Sequence, residues 1–259
     1  MTDVLLVLCG LTGLTHGAVF SLIATYLPLL LVAIHAYWTL GAARGLMFIG
    51  LAGFVGFMAE AISLNHGTLF GGNYTYRAGA GMVIAKVPLS IIVYWAVFIY
   101  IGYWLVTSSL YWLNKRKPAE GHSSLRLLAP LVIADGLAVT AMDLLMDPVS
   151  TRAGSWSWQD GGPYFGVPIG NFVGWFIITI IVTGLFRTFE YYRPLAKPRR
   201  NHSIYLLPVL GYLLVGLDFL LGAASYHLSA LIVIGIVVVI VPALANITLY
   251  RRGRHIMQS

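Results

Sequence analysis

The sequence contains few charged residues and a single cysteine. Charged side chains make up 10% of its 259 residues, whereas soluble domains contain about 25%, which excludes an ordinary soluble enzyme. The lone Cys9 excludes an intrachain disulfide and a cysteine-based metal cluster. No Lys or Arg precedes Arg44. The N-terminal segment therefore lacks the basic start of a cleavable signal peptide, and we expect it to be retained.

Long apolar runs fill the sequence instead. Hydrophobic residues account for 59% of the chain and the mean hydropathy is +0.83. Several runs reach the roughly 20 residues that cross a bilayer. The predicted spans are 17–39, 46–64, 87–112, 127–147, 168–187, 204–224 and 230–250. Because residues 4–38 form one longer apolar stretch, we expect an interfacial or re-entrant segment before the first span, or an eighth span in its place.

We therefore predict an all-α, polytopic transmembrane helical bundle of about seven spans that forms a single integral membrane domain over residues 1–259. The basic residues orient it. With the C-terminus in the cytoplasm, 13 of the 16 Lys and Arg residues lie on the cytoplasmic side, as the positive-inside rule requires. The net charge of +7 thus reflects topology and does not indicate nucleic-acid binding. The expected location is the plasma membrane.

Two loops on the predicted extracytoplasmic side, 65–86 and 148–167, are long, Gly-rich and aromatic. Long irregular loops in compact domains are usually functional or disordered, and their aromatic content argues against disorder. We expect functional residues in both loops.

Several acidic residues lie inside the predicted spans or at their ends. A carboxylate in a transmembrane segment is costly enough to indicate function, although a hydrogen bond between packed helices is the alternative. Glu60, Asp143, Asp147 and Asp218 come from three spans and reach the same outer level. Asp143 and Asp147 are four residues apart and share a helix face, with Asp135 nearby. Repulsion between two close carboxylates in low dielectric favours a protonated acid beside an ionised base. The site therefore lies in the extracytoplasmic half and is suited to proton transfer.

Aromatic and amide side chains flank these acids. They are Tyr74, Tyr76, Trp156, Trp158, Tyr164, Asn171 and Trp175. Trp and Tyr are also common as anchors at membrane interfaces, but next to acids their ring faces can stabilise a carbocation. His66 follows Asn65 beside the acidic layer and could carry a proton. The histidines show no metal-ligand spacing, so no structural metal is expected.

Two blocks of sequence resemble a known family. The block from Asp143 to Trp175, DLLMDPVSTRAGSWSWQDGGPYFGVPIGNFVGW, is similar to the signature of the CruF-type carotenoid 1,2-hydratases, which are membrane proteins of carotenoid biosynthesis. The block from Glu60 to Tyr76, EAISLNHGTLFGGNYTY, followed by Val87, Pro88 and Trp95, resembles the companion motif. Lys86 stands where a small residue is expected in that motif.

The resemblance implies a hydro-lyase that needs no cofactor. It adds water to the terminal C1=C2 double bond of an acyclic carotenoid end group and gives a tertiary alcohol. Protonation of this alkene produces a tertiary cation, so the enzyme requires an acid, an aromatic wall and an ordered water with a base. We assign Asp143 or Asp147 as the acid, and Glu60 as the base or as the second member of the acid pair.

The remaining residues are assigned to substrate binding. They are the wall residues Trp156, Trp158 and Tyr164, the water-positioning Asn171, and Trp175, Tyr74, Tyr76, Asn65, His66 and Asp218. The expected partners are a lycopene-like carotenoid, water, membrane lipids and other enzymes of the carotenoid pathway.

Two other classes of function remain open. An intramembrane prenyltransferase would use aspartates to hold Mg²⁺ on a prenyl diphosphate, although the sequence has one D-x-x-x-D pair and little basic charge near it. A proton-coupled transporter would use intramembrane acids, although no inverted repeat is visible. A retinal-type photoreceptor is disfavoured because residues 230–250 contain no lysine.

Overall fold

Seven long helical segments dominate the part of the chain that the structure describes. The computed structural model describes residues 16–67, 69–77, 82–114, 125–194 and 202–258. In chain order the helices are α1 (His16–Thr39), α2 (Ala42–His66), α3 (Leu89–Asn114), α4 (Leu128–Arg152), α5 (Ile169–Tyr192), α6 (Leu207–Ser225), α7 (Ser229–Gly235) and α8 (Val241–Gln258). A π-helical turn (Ile236–Ile240) joins α7 to α8, so that they form one long segment. Short 3₁₀ turns precede α4 (Leu125–Leu127) and α6 (His202–Leu206). The prediction of an all-α helical bundle is confirmed.

Six helical segments are long and apolar enough to cross a membrane. Within the described residues they are Ala42–His66, Leu89–Leu113, Leu128–Arg152, Ile169–Tyr192, Ser203–Ser225 and Ser229–Arg252. The predicted span 17–39 coincides with helix α1. The interfacial segment that we expect ahead of it falls before His16, outside the described residues. Each predicted apolar run therefore corresponds to a helix.

Several helices extend beyond the ends of their predicted spans, among them α4, which continues to Arg152 and takes the first residues of the predicted loop 148–167. Helix α5 continues past Arg187, the last residue of its predicted span, to Tyr192, so Glu190, which we expect in a cytoplasmic loop, is helical. Arg187 is fully buried and forms an ion pair with Asp135 of α4. The buried counter-ion allows the helix to continue past this charged residue, whereas a hydropathy calculation ends the span there. Helix α2 likewise begins before Arg44, at Ala42.

Proline positions support the helix starts. Pro130 and Pro208 lie in the first turns of α4 and α6, and Pro168 is the N-cap of α5. Pro148 is different because it lies inside α4. It has no N–H to donate to the carbonyl of Leu144 one turn earlier.

Helix α3 occupies the centre of the bundle. In the most apolar 18-residue stretch of α3, 72% of the residues are buried, compared with 28% in the corresponding stretch of the segment that contains α6. It packs against α1, α2, α4, α6 and α8. Side chains that α3 directs toward α2 and α5 are therefore shielded on all sides.

The two aromatic loops contribute the strands. They are β1 (Tyr74–Tyr76), β2 (Val83–Ile84), β3 (Val87–Pro88) and β4 (Trp156–Trp158). Strands β1 and β4 form an antiparallel pair between the loops, with Tyr74 opposite Trp158 and Tyr76 opposite Trp156. This pairing joins segments about 80 residues apart in sequence, and we call that side of the bundle the sheet end.

Strands β2 and β3 form a tight hairpin at the position of the unexpected lysine. Its turn residues, Ala85 and Lys86, have φ angles of 49° and 69°, as two-residue hairpin turns of the primed type require. Lys86 Nζ donates to Asn65 Oδ1 at 2.9 Å, and Asn65 Nδ2 donates to the Ala61 carbonyl in α2. Lys86 thus ties the hairpin to the end of α2.

Candidate active site

The carboxyl group of Glu60 is surrounded by hydrogen-bond donors. Helix α2 places Glu60 at the sheet end, where it is 5% exposed. Its Oε2 accepts from the hydroxyls of Tyr74 at 2.5 Å and Tyr76 at 2.7 Å. Its Oε1 accepts from the indole N–H of Trp95 at 3.1 Å. Three donors from β1 and α3 therefore fix this buried carboxyl group.

A stacked pair of indoles lies beside Glu60. The rings of Trp95 in α3 and Trp175 in α5 are 3.6 Å apart between centroids and inclined by 14°. Gly56, one turn before Glu60, makes room for them, because a Cβ atom there would lie 2.2 Å from Trp95 Cγ. The glycine thus allows the indole to reach the carboxyl group.

A second group of acids faces α5 from α4. Asp143, Asp147 and Asn171 are buried. Asn171 Nδ2 donates to Asp143 Oδ2 at 3.0 Å and also to Asp147 Oδ2. Asn171 therefore brings both carboxyl groups to one amide nitrogen. Repulsion between two carboxylates this close in a buried site favours a proton on one of them.

The β1–β4 pair connects these two acidic groups. On β1, Tyr76 holds Glu60, and its ring packs edge-on against that of Trp156 at 5.9 Å. Trp156 and Asp147 line the same cavity. At the other pair of the register, Trp158 Nε1 donates to the Phe70 carbonyl at 3.0 Å. The strand register thereby sets how the acid of α2 faces the acids of α4.

A small cavity lies between the acids. Its volume is about 20 Å³, enough for one water molecule. Its walls are Glu60, Phe70, Tyr74, Tyr76, Ile91, Tyr94, Met146, Asp147, Trp156, Trp158, Asn171 and Trp175. Glu60 and Asp147 therefore share a water-sized, mostly aromatic space that can hold a proton donor, a proton acceptor and a cation-stabilising wall together.

The tyrosine hydroxyls at the sheet end remain protonated. Burial, followed by the negative charge of Glu60, raises the pKa of Tyr74 and the pKa of Tyr76 well above the usual value. Burial and then Asp143 raise the pKa of Tyr164 to about 12. The hydroxyls of Tyr74 and Tyr76 therefore act as donors to Glu60 throughout the physiological pH range.

Tyr164 contacts helix α4 next to the two aspartates but outside the cavity. Its hydroxyl donates to the Leu144 carbonyl at 3.2 Å, the acceptor that Pro148 leaves without its usual helical partner. Its ring packs against Phe172 of α5 at 5.1 Å. Tyr164 thus braces the turn of α4 that carries Asp143 and Asp147, and it does not line the cavity.

The other predicted site residues occupy different places. Asn65 and His66 end α2 and are exposed, with Asn65 engaged by Lys86. Asp218 lies on the exposed surface of α6, away from the cavity wall. Asp143 lies one helical turn before Asp147 in α4 and does not line the cavity. The cavity therefore gathers Glu60, Asp147, Asn171 and the predicted aromatic residues except Tyr164.

Sequence reasoning missed several cavity residues. Trp95 enters the sequence argument only as part of the companion motif, yet it is the third donor to Glu60. Phe70, Ile91, Tyr94 and Met146 also line the cavity, and they are ordinary apolar residues in an apolar sequence. Within the described residues, no group of three or more His, Cys, Asp or Glu residues is arranged to hold a metal ion.

One comparison with known proteins gives a match. A family model described as "Carotenoid biosynthesis protein" matches residues 17–242. No curated protein and no solved structure matches the chain. The matched residues include all the walls of the cavity.

Proposed function

Because the chain belongs to the carotenoid biosynthesis protein family, we propose that it is a carotenoid 1,2-hydratase. In this reaction water adds across the terminal C1=C2 double bond of an acyclic end group and gives a tertiary alcohol. The observation that carries the proposal is the pair of carboxyl groups, Glu60 and Asp147, on the walls of one water-sized aromatic cavity. Hydration neither oxidises nor reduces the alkene, so water is its only co-reactant.

Asp147 is the proton donor in this proposal. It shares the amide donor of Asn171 with Asp143, and of the two aspartates only Asp147 lines the cavity. The alkene π pair takes the shared proton at C2, the O–H bond of the acid breaks, and a tertiary cation forms at C1. Asp143, which does not line the cavity, supplies the neighbouring negative charge that keeps Asp147 protonated until the alkene takes the proton.

In this proposal the indoles stabilise the cation, and Glu60 takes the proton from the attacking water. Because the cavity has room for one water, the end group in this proposal lies at its open side, where the indoles of Trp156, Trp158 and Trp175 favour a cation within about 6 Å of a ring centroid. The oxygen of one water attaches to C1 and loses a proton to Glu60, whose three donors stabilise the anion beforehand. The product is a tertiary alcohol, and Glu60 is left protonated.

The setting fits a lipid-dissolved substrate. The chain is a multi-pass membrane protein by its six apolar spans, and a lycopene-like polyene dissolves in the bilayer core. In this proposal the protein lies in the plasma membrane with the cavity in the extracytoplasmic half, close to bulk water. Other enzymes of carotenoid biosynthesis, which make and use such end groups, are the natural neighbours.

Expression in a lycopene-producing host tests the proposal. Wild-type protein is expected to yield pigments heavier by one or two waters. Asp147→Asn, Asp143→Asn and Glu60→Gln keep the side-chain shapes and remove the acid–base groups, which typically contribute about 10²- to 10⁴-fold to rate. Asp160→Asn, an exposed acid in the loop after β4, is the control and is expected to keep full activity.

Two results would contradict the proposal. An unchanged pigment profile with confirmed expression of the wild-type protein argues against hydration of this substrate. Full activity in all three carboxyl variants would remove the acid–base mechanism.

A further inference from the structure

The two tyrosines of β1 hold the same oxygen of Glu60 but have different surroundings. Tyr74 packs edge-on against Phe70 at 6.1 Å and tilted against Trp158 at 5.7 Å. Tyr76 packs edge-on against Trp156 at 5.9 Å, and both residues line the cavity together with Asp147. Tyr76 therefore holds Glu60 and also reaches the space that Asp147 lines.

After one turnover of the proposed hydration, Glu60 holds a proton and the Asp143–Asp147 pair lacks one. One turnover moves a proton from the Asp143–Asp147 pair to C2 of the alkene and a proton from water to Glu60. The pair is then fully ionised in a buried site, which like-charge repulsion and desolvation make unfavourable. A second turnover requires Glu60 to lose its proton and Asp147 to gain one, and a transfer within the cavity does both in one step.

We propose that the hydroxyl of Tyr76 is the relay that returns this proton from Glu60 to Asp147. The inference rests on the proposed hydratase function. The Glu60 O–H proton moves to the Tyr76 oxygen over the 2.7 Å hydrogen bond, while the Tyr76 O–H proton leaves to a water in the cavity. That water passes one of its own protons to Asp147. Glu60 ends ionised, Asp147 ends protonated, and the hydroxyl and the water are unchanged.

The relay works through a neutral hydroxyl. Burial and the flanking carboxylates hold the pKa of Tyr76 well above its usual value, so no tyrosinate forms and both proton transfers are coupled. The cavity, of about 20 Å³, has room for one bridging water. Tyr76, Glu60 and Asp147 all line it, so the hydroxyl, its carboxylate acceptor and the final acceptor meet in the same space.

Tyr76→Phe and Tyr74→Phe form a matched pair that isolates the relay. Each variant removes one hydrogen bond to Glu60 Oε2 and keeps the ring. Purified protein in lipid vesicles would be assayed with lycopene in two regimes. Enzyme in excess over lycopene reports the first turnover, and lycopene in excess reports repeated turnover. Thermal unfolding of both variants provides a check on the fold.

The expected result separates the two tyrosines. Both variants should complete the first turnover at rates within a few-fold of each other. In repeated turnover, Tyr76→Phe should fall by about 10²-fold or more relative to Tyr74→Phe, the scale of a lost positioned proton transfer. Its remaining rate should slow further in D₂O.

Equal losses for the two variants in both regimes would overturn the relay and leave both tyrosines as anchors of Glu60. Undiminished repeated turnover of Tyr76→Phe would also overturn it, with the hydratase function intact. If wild-type protein hydrates no lycopene-type substrate even in the first turnover, the proposed function fails and the relay with it.

Discussion

Removal of one member of the Asp135–Arg187 ion pair should destabilise the protein more than removal of both. Both side chains are fully buried, and the pair is bidentate, with Nε–Oδ2 and Nη2–Oδ1 distances of 2.6 Å each. Thr107 accepts a further hydrogen bond from Arg187 at 3.1 Å, and the guanidinium lies 4.3 Å from the ring centroid of Tyr103. The pair joins α4 to α5, the helices that carry Asp147 and Asn171.

The magnitude follows from the cost of an unpaired buried charge. Asp135→Leu removes the bidentate carboxylate partner of the guanidinium, and Arg187→Met removes the bidentate cation partner of the carboxylate. Each single change is expected to cost about 3–5 kcal/mol, whereas replacing a buried pair with apolar residues of similar volume is often neutral or stabilising. The double variant should therefore be more stable than either single variant.

Unfolding in detergent micelles, followed by tryptophan fluorescence, measures this double-mutant cycle. Arg152→Met is the control for loss of a positive charge, because Arg152 ends α4 on the exposed surface. Its effect should stay within about 0.5 kcal/mol. If the double variant is no more stable than the single variants, an unpaired buried charge is not the source of their losses, and the reasoning is refuted.

Two further predictions concern packing at the active site. Gly56→Ala should lower stability by about 1–3 kcal/mol, because the added methyl group displaces Trp95, and should also reduce hydration. Gly50→Ala in the same helix, with nothing within 4 Å of the new Cβ, should leave stability unchanged or raised by about 1 kcal/mol; equal effects in thermal unfolding would contradict the overpacking argument. Tyr164→Phe should cost about 1 kcal/mol, because the Leu144 carbonyl loses its donor. An unchanged midpoint of thermal unfolding would show that this carbonyl finds another partner.

The helices could be predicted from sequence because a bilayer selects apolar runs of a fixed length, and that property is local to each run. The errors occur where a helix continues past a charge. Arg187 is helical because Asp135 neutralises it, and these residues are 52 positions apart. A hydropathy window of one segment contains no information about a counter-ion on another. Lys86 is a similar case, since its partner Asn65 ends a different element.

The sequence by itself determined the residue types of the site, since Glu60, Asp147 and Asn171 are unusual in apolar segments. It did not determine their partners. Tertiary structure decided that β1 pairs with β4, that Trp95 reaches Glu60 over Gly56, and that Asp218 lies away from the cavity. These contacts depend on strand register and helix packing between distant segments. The position of a carboxyl group within an apolar run therefore predicts its depth in the membrane, whereas the packing of distant segments decides which residues surround it.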